Sequence, residues 1–311
     1  MANNALIQME NLTKVYGDAT PALDSLNLTV NRGEIFGYLG PNGAGKTTTI
    51  RLLLDLIRPT QGRASIFGLD VKADSVEIRK RIGFLPGELN LWDRLTAREI
   101  VNYLGNLRGG VDNAYVKQLA ERLSFDMSKR MRTYSTGNKR KLGLILALMH
   151  KPDLLILDEP SSGLDPLMQQ TFNQLMLEAK ANGQTVFLSS HVLNEVQAIC
   201  DRVGILRAGK LQAVETVERL THVDFRRVTI TFRDKVAPSL VSGVTGVTSV
   251  SADNANVLSM QLQGDFDPLL KAINSTYVQD IHIEEPTLED IFLTFYGGQP
   301  ANHREKATGL T

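Results

Sequence analysis

The chain contains a single cysteine, no excess of either charge and no long hydrophobic run. Cys200 has no second thiol to pair with, so no intrachain disulfide framework holds this fold, and a lone thiol suits a reducing compartment. Its expected place is that of a small buried hydrophobe. Lysine plus arginine and aspartate plus glutamate are equal at 34 each, so no global field draws the chain toward nucleic acid or an anionic membrane. No stretch approaches the roughly 18 apolar residues that span a bilayer. The apolar run between Lys141 and Lys151, LGLILALMH, is long enough only for part of a buried helix. The opening MANNALIQMENLTKVYG lacks the basic and apolar regions of a signal peptide. The expectation is a chain soluble by itself, whose membrane role, if it has one, passes through a partner.

What is present is ordinary for a folded protein: 42% hydrophobic and 22% charged residues over 311, a length that suits about two domains of roughly 150 residues. Short apolar runs alternate with helical patterns through residue 210. EIFGYLG (34–40) leads into a glycine loop, and Ile50, Leu53, Leu54 and Ile57 then form one helical stripe. LLIL (154–157), TVFLSS (185–190) and VGILRAG (203–209) are nearly continuous apolar runs, as in strands of a parallel sheet covered on both faces. Residues 96–150 hold no comparable strand and read as a helical block inserted into an α/β core. After about residue 220 the pattern alternates. VTITF (228–232) and the pair of runs around Asp253–Asn256 read as strands, DPLLKAINSTY as a helix and VQDIHI as a further strand. A last helix is marked by Thr287 as N-cap, Glu289 and Asp290 in the first turn, and a stripe of Leu288, Ile291, Phe292 and Phe295.

Gly40–Thr47 reads GPNGAGKT and fits G-x-x-x-x-G-K-[ST], with a strand before it and a helix after it. Glycines there let backbone N–H groups wrap a polyphosphate, and the helix N-terminus adds partial positive charge. Lys46 is placed to reach β- and γ-phosphates, and the Thr47 hydroxyl to ligate Mg²⁺. LLILDEP carries Asp158 and Glu159 to the carboxyl end of a strand, the edge where open α/β sheets bind ligands. Asp158 is placed to hold the metal, directly or through water, and Glu159 to polarise an attacking water. TVFLSSH brings His191 to the same edge, within reach of a γ-phosphate. In KRMRTYSTGNKRKLG (129–143) six of the first thirteen residues are basic, which by itself reads equally well as a solvated face. Asn138-Lys139 begins like the guanine-reading Asn-Lys-x-Asp, but position 141 is lysine, which cannot accept from guanine.

This set, in this order over residues 5–220, resembles the nucleotide-binding subunits of ATP-binding cassette (ABC) transporters. The resemblance implies a P-loop NTPase core with an inserted helical subdomain and a small α+β C-terminal domain. The expected domains are 1–220 (helical subdomain about 88–150), 221–298, and a disordered tail at 299–311. It implies ATP and Mg²⁺ as cofactors. Gly40, Pro41, Asn42, Gly43, Ala44, Gly45, Lys46, Thr47 and Thr48 line the nucleotide, and Tyr16, by itself a strand residue, stacks on adenine. YSTGN (134–138) stands at the family signature and SGLD (162–165) at the D-loop. In the dimer the family forms, homo- or heteromeric, Ser135 and Gly137 cap the γ-phosphate of the partner's ATP. Thr136 and Asn138 depart from the signature's glycine and glutamine. Glu159, His191 and Lys46 are the implied catalytic residues, and Thr47 and Asp158 the metal ligands.

FLPGELN (84–90) stands at the family's Q-loop, with Gly87 where a glutamine is usual. Either Glu88 takes over its contact or water fills the gap. The ending EEPTLEDIFLTFYG resembles ATPase subunits of ABC-2-type exporters of drugs, lipids or polymers. The implied function is an ATPase at the cytoplasmic face of the membrane that powers a separate polytopic permease, with no nucleic-acid partner. The alternatives are a non-transport ABC ATPase or an ATP-binding adaptor.

Overall fold

The computed structural model describes residues 4–17, 20–221 and 225–284. The chain divides into two compact units, Met1–Glu218 and Arg219–Thr311. In the first, β1 (Ala5–Lys14) pairs antiparallel with β2 (Leu23–Asn31). β2 buries Leu26, Leu28 and Val30 while Ser25, Asn27 and Thr29 face water, the period of a strand covered on one side. β3 (Ile35–Leu39) is buried at every residue and feeds the glycine loop, after which α1 (Lys46–Leu53) starts. The apolar stripe predicts a helix reaching Ile57, yet α1 ends at Leu53. Asp55 turns to a left-handed φ of 56°, and Pro59 disfavours helical geometry at Arg58. Tyr16 lies beyond the last residue of β1, so its reading as a strand residue does not hold.

β4 (Gln61–Ile66) and β5 (Leu69–Asp70) complete an antiparallel sheet in the order β2-β1-β4-β5. α2 (Ser75–Lys80) leads to β6 (Ile82–Leu85), and then come three helices, α3 (Ala97–Leu107), α4 (Asn113–Arg122) and α5 (Thr136–Leu148). Each of the three starts on a side chain that accepts from the first-turn amides. Thr96 forms a capping box with Glu99, Asp112 accepts from Ala114 and Tyr115, and Ser135 accepts from Asn138.

The core resumes with β7 (Leu154–Asp158), α6 (Pro166–Ala181), β8 (Thr185–Ser190), α7 (Leu193–Ile199), β9 (Arg202–Arg207) and β10 (Lys210–Thr216), and α8 (Val217–Thr221) runs across the division at Glu218. The core sheet runs β10-β9-β3-β8-β7-β6, parallel except for β10. β7 and β8 are buried throughout, as their apolar runs require of strands with two covered faces. Cys200 is buried against this core.

The second unit holds β11 (Phe225–Phe232), β12 (Val247–Asn254), β13 (Val257–Gln263), α9 (Asp267–Ile273) and β14 (Val278–Glu284). Its antiparallel sheet, β12-β13-β11-β14, has its own core around Val228, Ile230, Phe232, Met260 and Leu269. The helix expected after Thr287 and the tail 299–311 lie outside the described residues. Among the described residues no helix is long and apolar enough to cross a membrane.

Candidate active site

Register alone brings the candidate residues together. β3 pairs Leu39 with Ser190 of β8, and β7 pairs Asp158 with Ser189. The glycine loop, the acidic pair and His191 therefore all leave the sheet at its carboxyl edge. The loop turns tightly. A Cβ at Gly40 would lie 2.4 Å from Leu206 O, and one at Gly45 would lie 2.6 Å from Ala22 O. Gly45 also holds φ at 111°, a left-handed backbone that only glycine takes without strain. Pro41, Asn42 and Gly43 are exposed and Ala44 is buried beneath them. Ala22, residues 41–48 and Glu159 line one cleft.

Within it, buried Lys46 donates from Nζ to Gly40 O (2.6 Å) and Pro41 O (3.3 Å) and pairs with Glu159 Oε1 (3.1 Å). His191 Nδ1 donates to the other carboxylate oxygen, Glu159 Oε2 (2.7 Å). Thr47 Oγ1 donates to Asp158 Oδ2 (2.9 Å). Lys46, Glu159 and His191 thus form one linked group, with the Thr47–Asp158 pair beside it. The chain fits a nucleotide polyphosphate: glycines let the loop backbone pack tightly against Leu206 and Ala22, one lysine lies along the loop, and a helix N-terminus follows. Thr47, at the cleft, and buried Asp158 behind it supply hard oxygen donors, a set suited to Mg²⁺ completed by phosphate and water oxygens.

Other expected residues stand apart. Tyr16 is half exposed, with Lys14 Nζ 5.0 Å from its ring centroid, and does not line the loop cleft. Ser135 caps its own helix, accepting from Asn138 N (3.3 Å). Neither Ser135 nor Gly137 hydrogen-bonds the glycine loop of its own chain among the described residues. Gly137 packs on the D-loop instead, where a Cβ would come 2.7 Å from Gly163 O. A Cβ at Gly87 would meet Asp158 Oδ2 at 3.4 Å, so the turn does reach the Asp158 carboxylate. Glu88 is exposed and forms no hydrogen bond or ion pair with Thr47 or Asp158.

Two residues of the site escape a reading of the sequence. Ser189, fully buried, donates to Asp158 Oδ1 (2.6 Å) and accepts from Glu159 N (3.1 Å), locking the acidic pair from the neighbouring strand. Its signal is two serines closing an otherwise apolar strand beside a histidine. Arg140, only 6% exposed, donates to Pro86 O (2.6 Å), Glu159 O (2.7 Å) and Ser162 O (3.4 Å). Burial lowers its pKa, while the negative charges of Asp158 and Glu159 oppose the shift. In a run of six basic residues nothing marks it as the buried one.

Comparison with known proteins agrees with this geometry. The family profile "ABC transporter" matches residues 23–162, and an AAA-domain profile matches residues 129–196. The chain is 33% identical to the bacitracin transport ATP-binding protein BcrA of Enterococcus faecalis over 303 residues, covering 94% of this chain and 97% of that one. It is 30% identical to the linearmycin resistance ATP-binding protein LnrL of Bacillus subtilis (strain 168) over 314 residues, covering 94% and 98%. Among solved structures, an ATP-binding subunit of an ABC transporter superposes with a TM-score of 0.64 at 30% identity, covering 69% of this chain and 91% of that one. A dimeric ATP-binding cassette in a post-hydrolysis state with ADP and Pi shares the fold, with a TM-score of 0.60 at 24% identity over 68% of this chain and 99% of that one. With near full-length relatives at this identity, the chain belongs to the ATP-binding proteins of the ABC transporter family.

Proposed function

We propose that this chain is the Mg²⁺-dependent ATPase subunit of an exporter, working as a dimer on a separate membrane-spanning permease from the cytoplasmic face. The observation that carries the catalytic reading is the double hold on Glu159, with Lys46 on one carboxylate oxygen and His191 on the other. Both partners suit a γ-phosphate, so nucleotide entry releases Glu159 to orient water while Lys46 and His191 turn to phosphate oxygens. Thr47 and Asp158 would hold Mg²⁺, which would supply charge neutralisation at the phosphate oxygens. Tyr16 offers a half-exposed ring for adenine. Ser135 and Gly137, which make no hydrogen bond to their own glycine loop among the described residues, are available to a partner subunit's nucleotide. The bacitracin and linearmycin relatives favour drug-type cargo among the drugs, lipids and polymers that such exporters carry.

The test is steady-state ATPase of the purified chain against Glu159→Gln, with binding of ATP followed separately. The variant is expected to retain binding and lose about 100-fold or more in kcat. Equal rates would sink the catalytic assignment. Affinity purification from native membranes is expected to bring down a stoichiometric polytopic protein; recovery of soluble partners alone would leave an ATPase without an exporter.

A further inference from the structure

Arg140 sits in the second turn of α5, the helix whose N-terminus carries the YSTGN segment. Its three acceptors lie on two loops, the one after β6 and the one between β7 and α6. Pro86 O is in the turn after β6, Glu159 O follows β7, and Ser162 O opens the SGLD segment. A guanidinium has a rigid plane of donors and can span such a set, whereas no other side chain presents that fork. Among the described residues no carboxylate pairs with it directly, so a cation is held out of water by backbone carbonyls.

The residue it grips is unusual. Glu159 has φ of 50°, a left-handed conformation that a non-glycine residue keeps only when its surroundings over-determine it. Its N–H is fixed by Ser189 O (3.2 Å) and Ser189 Oγ (3.1 Å) from β8, and its C=O by Arg140 from α5. The side chain between those two anchors is the one touching Lys46 and His191. A shift of α5 against the sheet therefore pulls on one end of the Glu159 backbone while the other end stays with the sheet. The same guanidinium also holds the carbonyl preceding Gly87, which has no side chain of its own to reach toward Asp158.

We propose that Arg140 is a positioning residue of the ATPase site, coupling movement of α5 and its YSTGN segment to the backbone of Glu159 and to the Gly87 turn. This rests on the ATPase reading above. The experiment compares the full-length chain with Arg140→Gln and Arg140→Lys in three measurements: affinity for a fluorescent ATP analogue, kcat and KM, and tryptophan emission on adding MgATP. Trp92 is the only tryptophan of the chain, lies between the Gly87 turn and α3, and meets Tyr103 edge-on, so it reports locally on this joint. Both variants are expected to bind the analogue within about 3-fold of the parent and to lose about 10- to 100-fold in kcat, because a lysine point charge cannot serve three diverging carbonyls. Both are also expected to lose most of the MgATP-induced change in Trp92 emission. Unchanged kcat overturns the inference. So does full rescue by Arg140→Lys, which would reduce the role to charge near Asp158 and Glu159. Parallel collapse of melting temperature, affinity and kcat would make Arg140 merely structural, and a parent chain whose Trp92 ignores MgATP would remove the coupling. A parent no faster than Glu159→Gln is a different failure: it would remove the ATPase reading, and this inference with it.

Discussion

At Gly87 a hydrogen faces Asp158 where the family resemblance leads one to expect a glutamine. The space is there: a Cβ would sit in ordinary contact with Asp158, and the residue's φ is not left-handed. Arg140 already holds the preceding carbonyl, so the turn keeps its path without a side chain at 87. Gly87→Gln is therefore expected to fold with unchanged or slightly raised stability, by up to about 1 kcal/mol, since replacing glycine in a compatible conformation restricts the unfolded chain. ATP affinity should be retained. A chemical-denaturation midpoint and an ATP titration check both points, and gross loss of nucleotide binding would show that Gly87 does not occupy the glutamine's place.

At the scale of elements, what could be read in advance depended on how local the cause was. The glycine loop and the two apolar strands were legible because their constraints lie within a few residues: tight backbone approach at Gly40 and Gly45, and burial on both faces of β7 and β8. α1 was read too long because its apolar stripe continues past Leu53 while the backbone turns at Asp55. β1 is broken by register shifts, with Asn11 at φ 48°, which blurs the alternation a strand normally shows. The basic run at 129–143 hid Arg140, because which of its cations is buried is decided by the loops after β6 and β7. His150, just past α5, belongs to the same class of tertiary surprise. Its Nε2 meets Ile82 O at 3.1 Å, its Nδ1 is buried without a partner among the described residues, and Arg108 donates to the same Ile82 carbonyl. Burial first, and then the Arg108 charge, push its pKa down to about 4. The unfolded imidazole protonates near 6.5, above the folded value, so its stabilising contribution is present above about 6.5 and is lost as pH falls toward about 4. Denaturation midpoints of the parent minus those of His150→Gln, taken between pH 7.5 and 5, should diverge in that direction. Parallel curves would mean that the ring is protonated at little cost.

At the scale of the whole molecule, each of the two compact units has a hydrophobic core of its own among the described residues. One is built around β1, β2 and the parallel sheet, the other within the sheet of β11 to β14. Only the first contains the glycine loop, the acidic pair and His191. Ligand binding stabilises the unit that holds the site by RT ln(1 + [L]/Kd), about 2.7 kcal/mol at a hundredfold excess over Kd. Calorimetry of the Glu159→Gln chain, chosen so that nucleotide is not consumed, is therefore expected to show two transitions, since two cores need not unfold as one cooperative unit. MgATP should raise one of them by several degrees and leave the other in place. A single transition that moves as a whole with nucleotide would mean that the two cores melt as one, so that the small unit shares in every nucleotide-dependent step of the large one.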